Sequence, residues 1–288
     1  AEVRVVDSLK EGFGGSRANI PKSTARCTVY QLDVRSRELE TVLSGVDVVI
    51  NTVGQVSHQR SIEDPLGDLE ANCEAQVHIL ECCRRIAPAS IVVYAGTRQV
   101  YGRAEALPIT ESVPAVPVDI NGVDKFAGEE YHRIYNEVHG LRTVRLRLTN
   151  TYGPRQSSRA VIPTIISQCI SDLGKVKLGN IEPTRDLTFV KDTCEGFLEI
   201  YKSEAFFGEV TNIGMNSEIS IGELAKKIMT IMDLELPIIT DQGRIRPNKS
   251  EVERLVCNNE KLLNLTSWAP KYNLESGLAE TIQWFRES

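Results

Sequence analysis

Short apolar runs alternate along this chain with longer segments whose apolar residues recur at helical spacing. The runs are rich in β-branched residues, and several are apolar almost throughout, which favours strands of a parallel sheet covered on both faces. They lie at 2–7, 28–33, 46–51, 91–97 and 141–148, and helical periodicity follows at 36–45, 65–86, 120–139, 158–174, 192–203, 219–229 and 275–287. This alternation predicts an α/β protein with a mostly parallel sheet.

Two of the helical segments carry apolar stripes that predict how they pack. In the segment 65–86 the stripe contains Leu69, Cys73, Val77 and Leu80, so this helix is expected to lie on the sheet. The segment 120–139 is expected to end at Gly140. Its apolar side is predicted to be Val123, Phe126, Ala127, Ile134 and Val138.

Composition removes several classes of function. The chain has 288 residues, of which 41% are hydrophobic and 25% charged, and its formal net charge is −6. It offers no basic field for nucleic acid, no apolar run near the ~20 residues of a membrane span, and nothing that resembles a signal peptide. Its seven cysteines show no CxxC spacing and its four histidines are dispersed, so no metal site is expected. A cytoplasmic enzyme is the expectation.

Four short motifs contain most of the residues that point to a chemical function. They are YAGTRQVYG at 94–102, TNTYGPRQ at 149–156, TRDLTFV at 184–190 and the RP/SEV segment at 246–252. In their presence and order the chain resembles the extended short-chain dehydrogenase/reductase family, the NAD-dependent sugar-nucleotide epimerases and dehydratases. The resemblance implies NAD as cofactor and a nucleotide-sugar as substrate.

The resemblance also implies an architecture, a doubly wound Rossmann-type sheet with a smaller α/β substrate lobe. Residues 1–150 and 187–214 would bind NAD, and residues 151–186 and 215–288 would bind the sugar nucleotide. If 2–7 is the family's second strand, the first strand, its GxxGxxG turn and the first helix are missing. We therefore expect either a fragment of a longer protein or a sheet whose remaining strands close the gap.

Cofactor contacts follow from the resemblance residue by residue. Asp7, at the end of the family's second strand, would accept hydrogen bonds from the adenosine ribose hydroxyls. Asp33 and Val34 would touch adenine. Asn51 and Val53 would lie along the ribose and pyrophosphate.

The catalytic motif of the family is present except for one residue. Thr97 is the hydroxyl residue at the end of its strand, and Lys125 is the lysine of YxxxK, which would bind the nicotinamide ribose. The tyrosine of that motif is replaced by Asn121. A tyrosine would exchange a proton with a sugar hydroxyl, whereas an amide has no proton to exchange near neutral pH. The motif therefore supports the fold and argues against the ordinary mechanism.

The remaining polar residues of these motifs suggest substrate contacts. Arg98 and Gln99 stand where the dehydratases and decarboxylases of the family carry acids, which weakens both of those reactions. Residues predicted to bind substrate are Tyr101, Asn150, Arg185 and Arg246. His58 is expected on a solvent-facing loop, with a proton shuttle as the alternative. Asp119 and Asp124 are expected to favour the dipole at a helix start, with a stand-in base as the alternative.

These residues leave three functional hypotheses open. The first is an NAD-dependent sugar-nucleotide epimerase that works through a transient keto-sugar. The second is a non-catalytic or regulatory protein that binds a nucleotide or sugar nucleotide, and the third reroutes the proton through Tyr101, Lys125 or water. The family resemblance also implies a homodimer formed through the helices at 65–86 and 120–139.

Overall fold

A computed structural model describes residues 1–10, 15–20, 26–171, 173–244 and 252–288. The chain divides into two compact units. Unit 1 comprises residues 1–96, 119–146 and 204–210, and unit 2 comprises residues 97–118, 147–203 and 211–288. The boundaries proposed above for the two ligand-binding domains stay a prediction, since the units are defined by packing alone.

The first half of the chain alternates strands and helices as the sequence predicts. Its elements are β1 (Val3–Asp7), β2 (Cys27–Gln31), α1 (Leu39–Leu43), β3 (Val48–Asn51), α2 (His58–Glu63), α3 (Pro65–Leu69), α4 (Ala75–Ile86), β4 (Ile91–Thr97), α5 (Ile120–His139) and β5 (Arg142–Leu148). The predicted helix 65–86 is α3 and α4 joined by a π-helical segment, Glu70–Glu74. Such segments often occur at functional sites.

The second half contains shorter strands. Its elements are β6 (Asn150–Tyr152), α6 (Val161–Ile170), β7 (Val176–Leu178), β8 (Thr184–Arg185), β9 (Leu187–Phe189), α7 (Val190–Ile200), β10 (Val210–Ile213), β11 (Ile219–Ser220), α8 (Ile221–Ile231), β12 (Ile238–Thr240), α9 (Glu260–Leu265) and α10 (Leu274–Glu287). None of the helices in the described ranges is both long and apolar enough to cross a membrane.

The strands of the main sheet follow the order β10-β5-β4-β3, and β3 runs parallel to β4 with Val49 opposite Val92. β1 and β2 form a separate parallel pair with Val5 opposite Val29. Within the described ranges, β1 has no partner besides β2 and β3 has none besides β4. In the described part of the chain the gap between these two pairs of strands is therefore not closed by strand pairing.

Helix α5 begins and ends as predicted but faces the other way. The Asp119 carboxylate accepts a hydrogen bond from Gly122 N at 2.7 Å, and Gly140 ends the helix at φ 66°. Three residues of the predicted apolar side are exposed, Val138 at 66%, Val123 at 53% and Ile134 at 38%, while Phe126 and Ala127 are half-buried. Its buried face is instead mostly polar, namely Asn121, Asp124, Lys125, Glu129, His132 and Tyr135 with two glycines. The prediction failed because polar side chains fill the interior here.

Unit 2 is built around an apolar core. Ile165 of α6, Leu224 and Ile228 of α8 and Leu278 of α10 are completely buried in it. Helix α8 begins with a capping box, in which Ser220 Oγ accepts from Glu223 N at 3.1 Å and the Glu223 carboxylate accepts from Ser220 N at 3.2 Å. Hydrophobic periodicity predicts this helix correctly.

Candidate active site

A cavity of about 240 Å³ opens in unit 1 where its parallel strands end. Asp7 lies at the end of β1, Asp33 and Val34 follow β2, and Val53 follows β3; all four line this cavity. The carboxyl ends of parallel strands converge at one edge of a sheet, which is where α/β proteins bind ligands. The structure therefore brings four of the predicted cofactor residues to one wall.

The two carboxylates of this cavity are held in different ways. Asp7 Oδ1 accepts a hydrogen bond from Leu9 N at 2.8 Å. Asp33 is bound bidentately by Arg35, with Nη2 to Oδ2 at 2.8 Å and Nε to Oδ1 at 3.0 Å. These bonds lower the pKa of Asp33 below its ordinary value. Arg35 also reaches Glu70 at 3.1 Å, so its guanidinium joins β2 to the π-helical segment.

Asn51 lies behind the cavity instead of lining it. Its side chain is buried, its Nδ2 donates to Gln76 Oε1 at 2.7 Å, and its Oδ1 accepts from Val53 N at 3.2 Å. In this conformation both ends of the amide are used to hold the turn after β3. Its contribution to the site is therefore the placement of Val53.

Lys125 reaches the same wall from the interior. Its Nζ donates to Asn72 Oδ1 at 3.1 Å, and burial lowers its pKa to about 8. A Cβ at Gly54, which lines the cavity, would lie 2.7 Å from Lys125 Nζ and 2.6 Å from Asn72 Oδ1. Only a glycine therefore allows the backbone to pass this close to the ammonium group, and its φ of 155° also favours glycine.

Asn121 is bound tightly inside unit 1. Its Nδ2 donates to Asp68 Oδ1 at 3.0 Å and to Gln55 O at 3.0 Å, and the residue is 1% exposed. Asp68 also accepts from Gln55 Nε2 at 2.6 Å and from Asn72 Nδ2 at 3.0 Å. The amide that replaces the tyrosine is thus one of three side-chain amides that solvate a buried carboxylate.

A second buried carboxyl group adjoins this network. Asp124 interacts with Asp68, and burial together with that contact raises the pKa of Asp124 to about 6. Asp124 Oδ2 is buried and has no hydrogen-bond donor among the described residues. Asp124 faces the interior, and its favourable effect on the helix dipole stays a prediction.

His58 is not on a solvent-facing loop. It is the first residue of α2, and its Nδ1 lies 3.1 Å from Asp119 Oδ2. Both side chains are about nine-tenths buried, with 10% and 8% exposed. Its Nε2 is buried and without a hydrogen-bond partner within the described part of the chain. Asp119 therefore has two roles: it caps α5 and orients the imidazole.

The network that Asp68 and Gln55 form with Asn72 around Asn121 is not predicted by the sequence motifs. A signal was available in the spacing. Asp68 and Asn72 are four residues apart, each directly before a residue of the apolar stripe, and Asn121 and Lys125 are also four residues apart. Two helical segments with matching polar pairs at this spacing can bring those pairs into one buried contact.

The predicted residues of unit 2 fall into two groups. Some are hydrogen-bonded within the protein, and others line a cavity. The Thr97 hydroxyl accepts from Gln99 N at 3.2 Å and caps the turn that contains VYG. Tyr101 is 1% exposed, its hydroxyl donates to Asn212 Oδ1 at 2.8 Å, and the Arg147 guanidinium lies 4.4 Å from the centre of its ring. Burial raises the pKa of Tyr101. In this conformation its phenol is neither open to substrate nor suited to carry the missing proton.

The other predicted substrate residues are placed as follows. Asn150 Oδ1 accepts from Arg98 Nη2 at 3.1 Å. Arg185 lines a cavity of about 420 Å³, together with Glu218, Glu223 and Lys227. The Arg185 guanidinium donates to two backbone carbonyls, Thr184 O and Val252 O. Arg246 lies outside the described residues.

Comparison with protein families gives a match over almost the whole chain. Residues 4–281 match the family described as GDP-mannose 4,6 dehydratase. A putative UDP-glucose 4-epimerase of Methanocaldococcus jannaschii is 28% identical, over 100% of this chain and 91% of that protein. The dTDP-D-glucose 4,6-dehydratase of Homo sapiens is 30% identical, over 73% of this chain and 61% of its own length.

Solved structures with the same fold include enzymes of both reaction types. DesIV, a dTDP-glucose 4,6-dehydratase of Streptomyces venezuelae solved with NAD bound, gives a TM-score of 0.89 at 26% identity, over 100% of this chain and 88% of that one. A UDP-N-acetylglucosamine 4-epimerase of Methanobrevibacter ruminantium gives 0.90 at 24% identity, over 99% and 91%. The doubly wound α/β fold expected from the sequence is confirmed.

Proposed function

This chain belongs to the GDP-mannose 4,6-dehydratase family of extended short-chain dehydrogenases/reductases, the sugar-nucleotide epimerases and dehydratases, and on that premise we propose that it is an NAD-dependent, epimerase-like enzyme acting on a nucleotide-sugar. The proposed reaction passes through a transient keto-sugar. The observation that carries the proposal is the single cavity wall formed by Asp7, Asp33, Val34 and Val53, with Lys125 directly behind Gly54.

That wall suits the adenosine half of NAD. A carboxylate at a strand end can accept hydrogen bonds from both ribose hydroxyls. Val34 and Val53 give apolar surface for the adenine and ribose, and Asp33 is held by Arg35 at the same edge. The negative charge of Asp7 disfavours a 2′-phosphate, which favours NAD over NADP. When bound, the nicotinamide would take a hydride from a sugar carbon and return it.

The chain's own groups would supply orientation. Lys125 would bind the nicotinamide ribose, because its ammonium group lies at the wall through Gly54. Thr97 would hydrogen-bond the reacting hydroxyl. Asn121 would stay in place as part of the Asp68 network instead of acting as the proton donor.

Nucleotide-sugar recognition is proposed for the cavity of unit 2. Arg185 and Lys227 bring two cationic side chains to its wall, which suits a diphosphate. The guanidinium of Arg185 is fixed by two carbonyls, so it would be preorganised for this contact. Asn150 and Arg246 keep the substrate roles that the family resemblance implies.

A non-catalytic nucleotide-sugar-binding protein is the second candidate. The observation that favours it is the complete engagement of the Asn121 amide nitrogen by Asp68 and Gln55. Such an amide orients neighbouring groups but exchanges no proton. Both candidates bind the same ligands, so binding alone does not distinguish them.

The test is to incubate the chain and NAD with UDP-, dTDP- and GDP-linked hexoses. The enzyme hypothesis predicts a new epimer or keto product from at least one of them, and deuterium at the reacting carbon retained after turnover. Lys125→Met should abolish the reaction, whereas Lys226→Met, on the exposed face of α8, should not. Tight binding of a sugar nucleotide without conversion would support the second candidate.

We also propose that two copies associate through α5. The exposed fractions of Val123 and Val138 exceed one half, and Tyr131 and Ile134 continue the same apolar face. Leu66 and Leu69 in the 65–86 region are exposed as well. Burying such a face against its own copy satisfies the cyclic symmetry of most homodimers.

A further inference from the structure

Arg35 lines the cavity of unit 1 but has no role of its own in the function proposed above. It lies in the turn that joins β2 to α1, in which Asp33 O accepts from Ser36 N at 2.9 Å. Aspartate is favoured at the first position of such a turn, because its side chain can bind the backbone two residues on. Asp33 Oδ1 does so, accepting from Arg35 N at 2.9 Å. The turn therefore brings the Arg35 side chain back beside the Asp33 carboxylate.

The bonds to Arg35 leave the Asp33 carboxylate with one open acceptor position. Oδ1 accepts from both Arg35 N and Arg35 Nε, and Oδ2 accepts from Nη2. An ionised carboxylate has about four lone-pair positions, so the fourth, on Oδ2, has no donor among the described residues. Asp33 lines the cavity, and 42% of its side chain is exposed. A ligand in the cavity can therefore reach this oxygen.

The donors of Arg35 are almost all used inside the protein. Nη1 donates to Glu70 at 3.1 Å and to Glu74 at 3.4 Å, both in the π-helical segment. Since Nε and Nη2 bind Asp33, four of the five guanidinium N–H groups are engaged. Glu70 lines the cavity as well, so the guanidinium joins two of its sides. Arg35 and Asp33 together present a fixed acceptor and at most one free N–H.

An ionised acceptor of this kind distinguishes purine bases. The 6-amino group of adenine donates a hydrogen bond, whereas the 6-oxo group of guanine or hypoxanthine accepts one. A 6-oxo group that faces the carboxylate would leave both oxygens without a donor, and a missing bond to a charged group is costly. The bonds from Arg35 lower the pKa of Asp33, so its carboxylate stays ionised at neutral pH. The pair therefore favours a 6-amino purine.

We propose that Arg35 sets the base selectivity of the unit 1 cavity by holding Asp33 in place as the acceptor for a 6-amino purine. The proposal rests on the proposed function, which assigns the adenosine half of the cofactor to this wall. Arg35 acts through Asp33 and is thus a positioning residue.

Removing the guanidinium should release the carboxylate. Asp33 would lose its two bonds to the guanidinium, and the cation that it shares with Glu70 and Glu74 would be gone. Repulsion from these carboxylates would then favour conformations in which Asp33 points to solvent. The cavity would lose both the bond to adenine and the repulsion of a 6-oxo group, so its selectivity would disappear.

The experiment measures the binding of NAD and of nicotinamide hypoxanthine dinucleotide, its 6-oxo analogue, to the full chain by calorimetry. We expect the wild type to bind NAD about tenfold or more tightly than the analogue. Arg35→Met should reduce this ratio to less than about threefold, mainly by weakening NAD. The control is Arg37→Met, because Arg37 is exposed and does not line the cavity. It should keep the ratio of the wild type.

The ratio of affinities separates selectivity from a purely structural role. A structural role predicts that Arg35→Met weakens both dinucleotides equally and leaves the ratio unchanged, and that result would overturn the proposal. Arg35→Lys keeps the charge but cannot bind a carboxylate bidentately, so its ratio should lie between those of the wild type and Arg35→Met.

Failure of the proposed function would give a different result. If the wild type binds both dinucleotides equally well, the selectivity proposal is overturned while the cavity keeps its assignment to the cofactor. If the folded wild type binds neither dinucleotide, that assignment fails and the selectivity proposal fails with it.

Adenosine and inosine monophosphates give a second probe of the same contact, without the nicotinamide. In the full chain labelled with ¹⁵N-arginine, adenosine monophosphate should shift the Nε resonance of Arg35 and leave that of Arg37 unchanged. Inosine monophosphate at the same concentration should shift the Arg35 resonance much less. Equal shifts with the two nucleotides would overturn the proposal.

Discussion

Helices α5 and α8 obey opposite packing rules within their own units. α8 turns Leu224 and Ile228 into an apolar core and leaves Lys226 in solvent. α5 turns Asn121 and Lys125 inward and leaves apolar side chains exposed. The buried face of α8 is stabilised by apolar burial. The buried face of α5 is stable only if each of its polar groups has a hydrogen-bond partner. The difference separates a structural helix from one that carries a site.

The largest effect expected from this contrast is at Asn121. Asn121→Tyr would remove the amide donated to Asp68 and force a ring into a site that is 1% exposed. We expect a loss of about 3–5 kcal/mol in the free energy of unfolding, measured with urea. The matched control, Asn264→Tyr on the exposed side of α9, should cost less than about 1 kcal/mol.

The same variant tests whether Asn121 is a decayed catalytic residue. Decay predicts that the tyrosine restores epimerase activity without loss of stability, which would contradict the network described for α5. Replacing Asp68 by alanine in the Asn121→Tyr background should relieve part of the loss, because the two residues share a hydrogen bond and their effects are coupled. Additive effects would show that the pair is independent.

In α8 the corresponding test is Ile228→Ala. Ile228 is completely buried among apolar side chains, so its truncation should cost about 2–5 kcal/mol through lost burial and a cavity. The titratable members of this core, Cys169 and Tyr152, have pKa values that burial raises, so both stay neutral and the loss should be the same at about pH 5 and about pH 8. A loss that varies with pH would show that the core of unit 2 is coupled to ionisation.

A smaller, pH-dependent effect is expected at Asp124. Its pKa is raised to about 6 in the folded chain from an ordinary value of 3.8, so its contribution to stability is complete below about pH 4. That contribution is lost as pH rises through about 6. Asp124→Asn keeps a donor for Asp68 and removes the ionisation. Its free energy of unfolding should therefore exceed that of the wild type by about 2 kcal/mol above about pH 6.

The measurement is urea unfolding of both proteins across this pH range. Asp186 is also buried with its pKa raised to about 6, so the wild type will lose stability from two groups. The difference between the wild type and Asp124→Asn isolates one of them. An unchanged difference from about pH 4 to about pH 8 would show that the pKa of Asp124 is not raised in the folded chain.

The smallest effect on stability, and a large one on assembly, is expected on the outer face of α5. Val138→Glu should convert a dimer to a monomer in light scattering and change the stability of the isolated subunit by less than about 0.5 kcal/mol. Lys226→Glu on the exposed face of α8 is the control and should leave the oligomeric state unchanged. A wild-type monomer would contradict the association proposed for α5.

The sequence predicted best those features that depend on one element at a time. Strand ends placed Asp7, Asp33, Val34 and Val53 together, because the carboxyl ends of parallel strands converge wherever such a sheet forms. Apolar periodicity was sufficient for α8. The end of α5 at Gly140 was also recognised from local chemistry.

The features that were not predictable from the sequence depend on contacts between elements. The inward face of α5 is decided by Asp68 and Gln55, which lie more than fifty positions away along the chain. His58 was expected on an exposed loop, but its imidazole is buried in contact with Asp119. Tyr101 was predicted to bind substrate, but Asn212 and Arg147 enclose it. Periodicity carries no information about such partners.

The most direct test of the account is calorimetric titration of NAD into the full chain and into Asp7→Ala, with Asp233→Ala in unit 2 as the control. We predict micromolar binding by the wild type and the control, and at least about tenfold weaker binding by Asp7→Ala, because the ribose loses its acceptor. Equal affinity in all three proteins, or no binding by the folded wild type, would contradict the assignment of the unit 1 cavity to the cofactor.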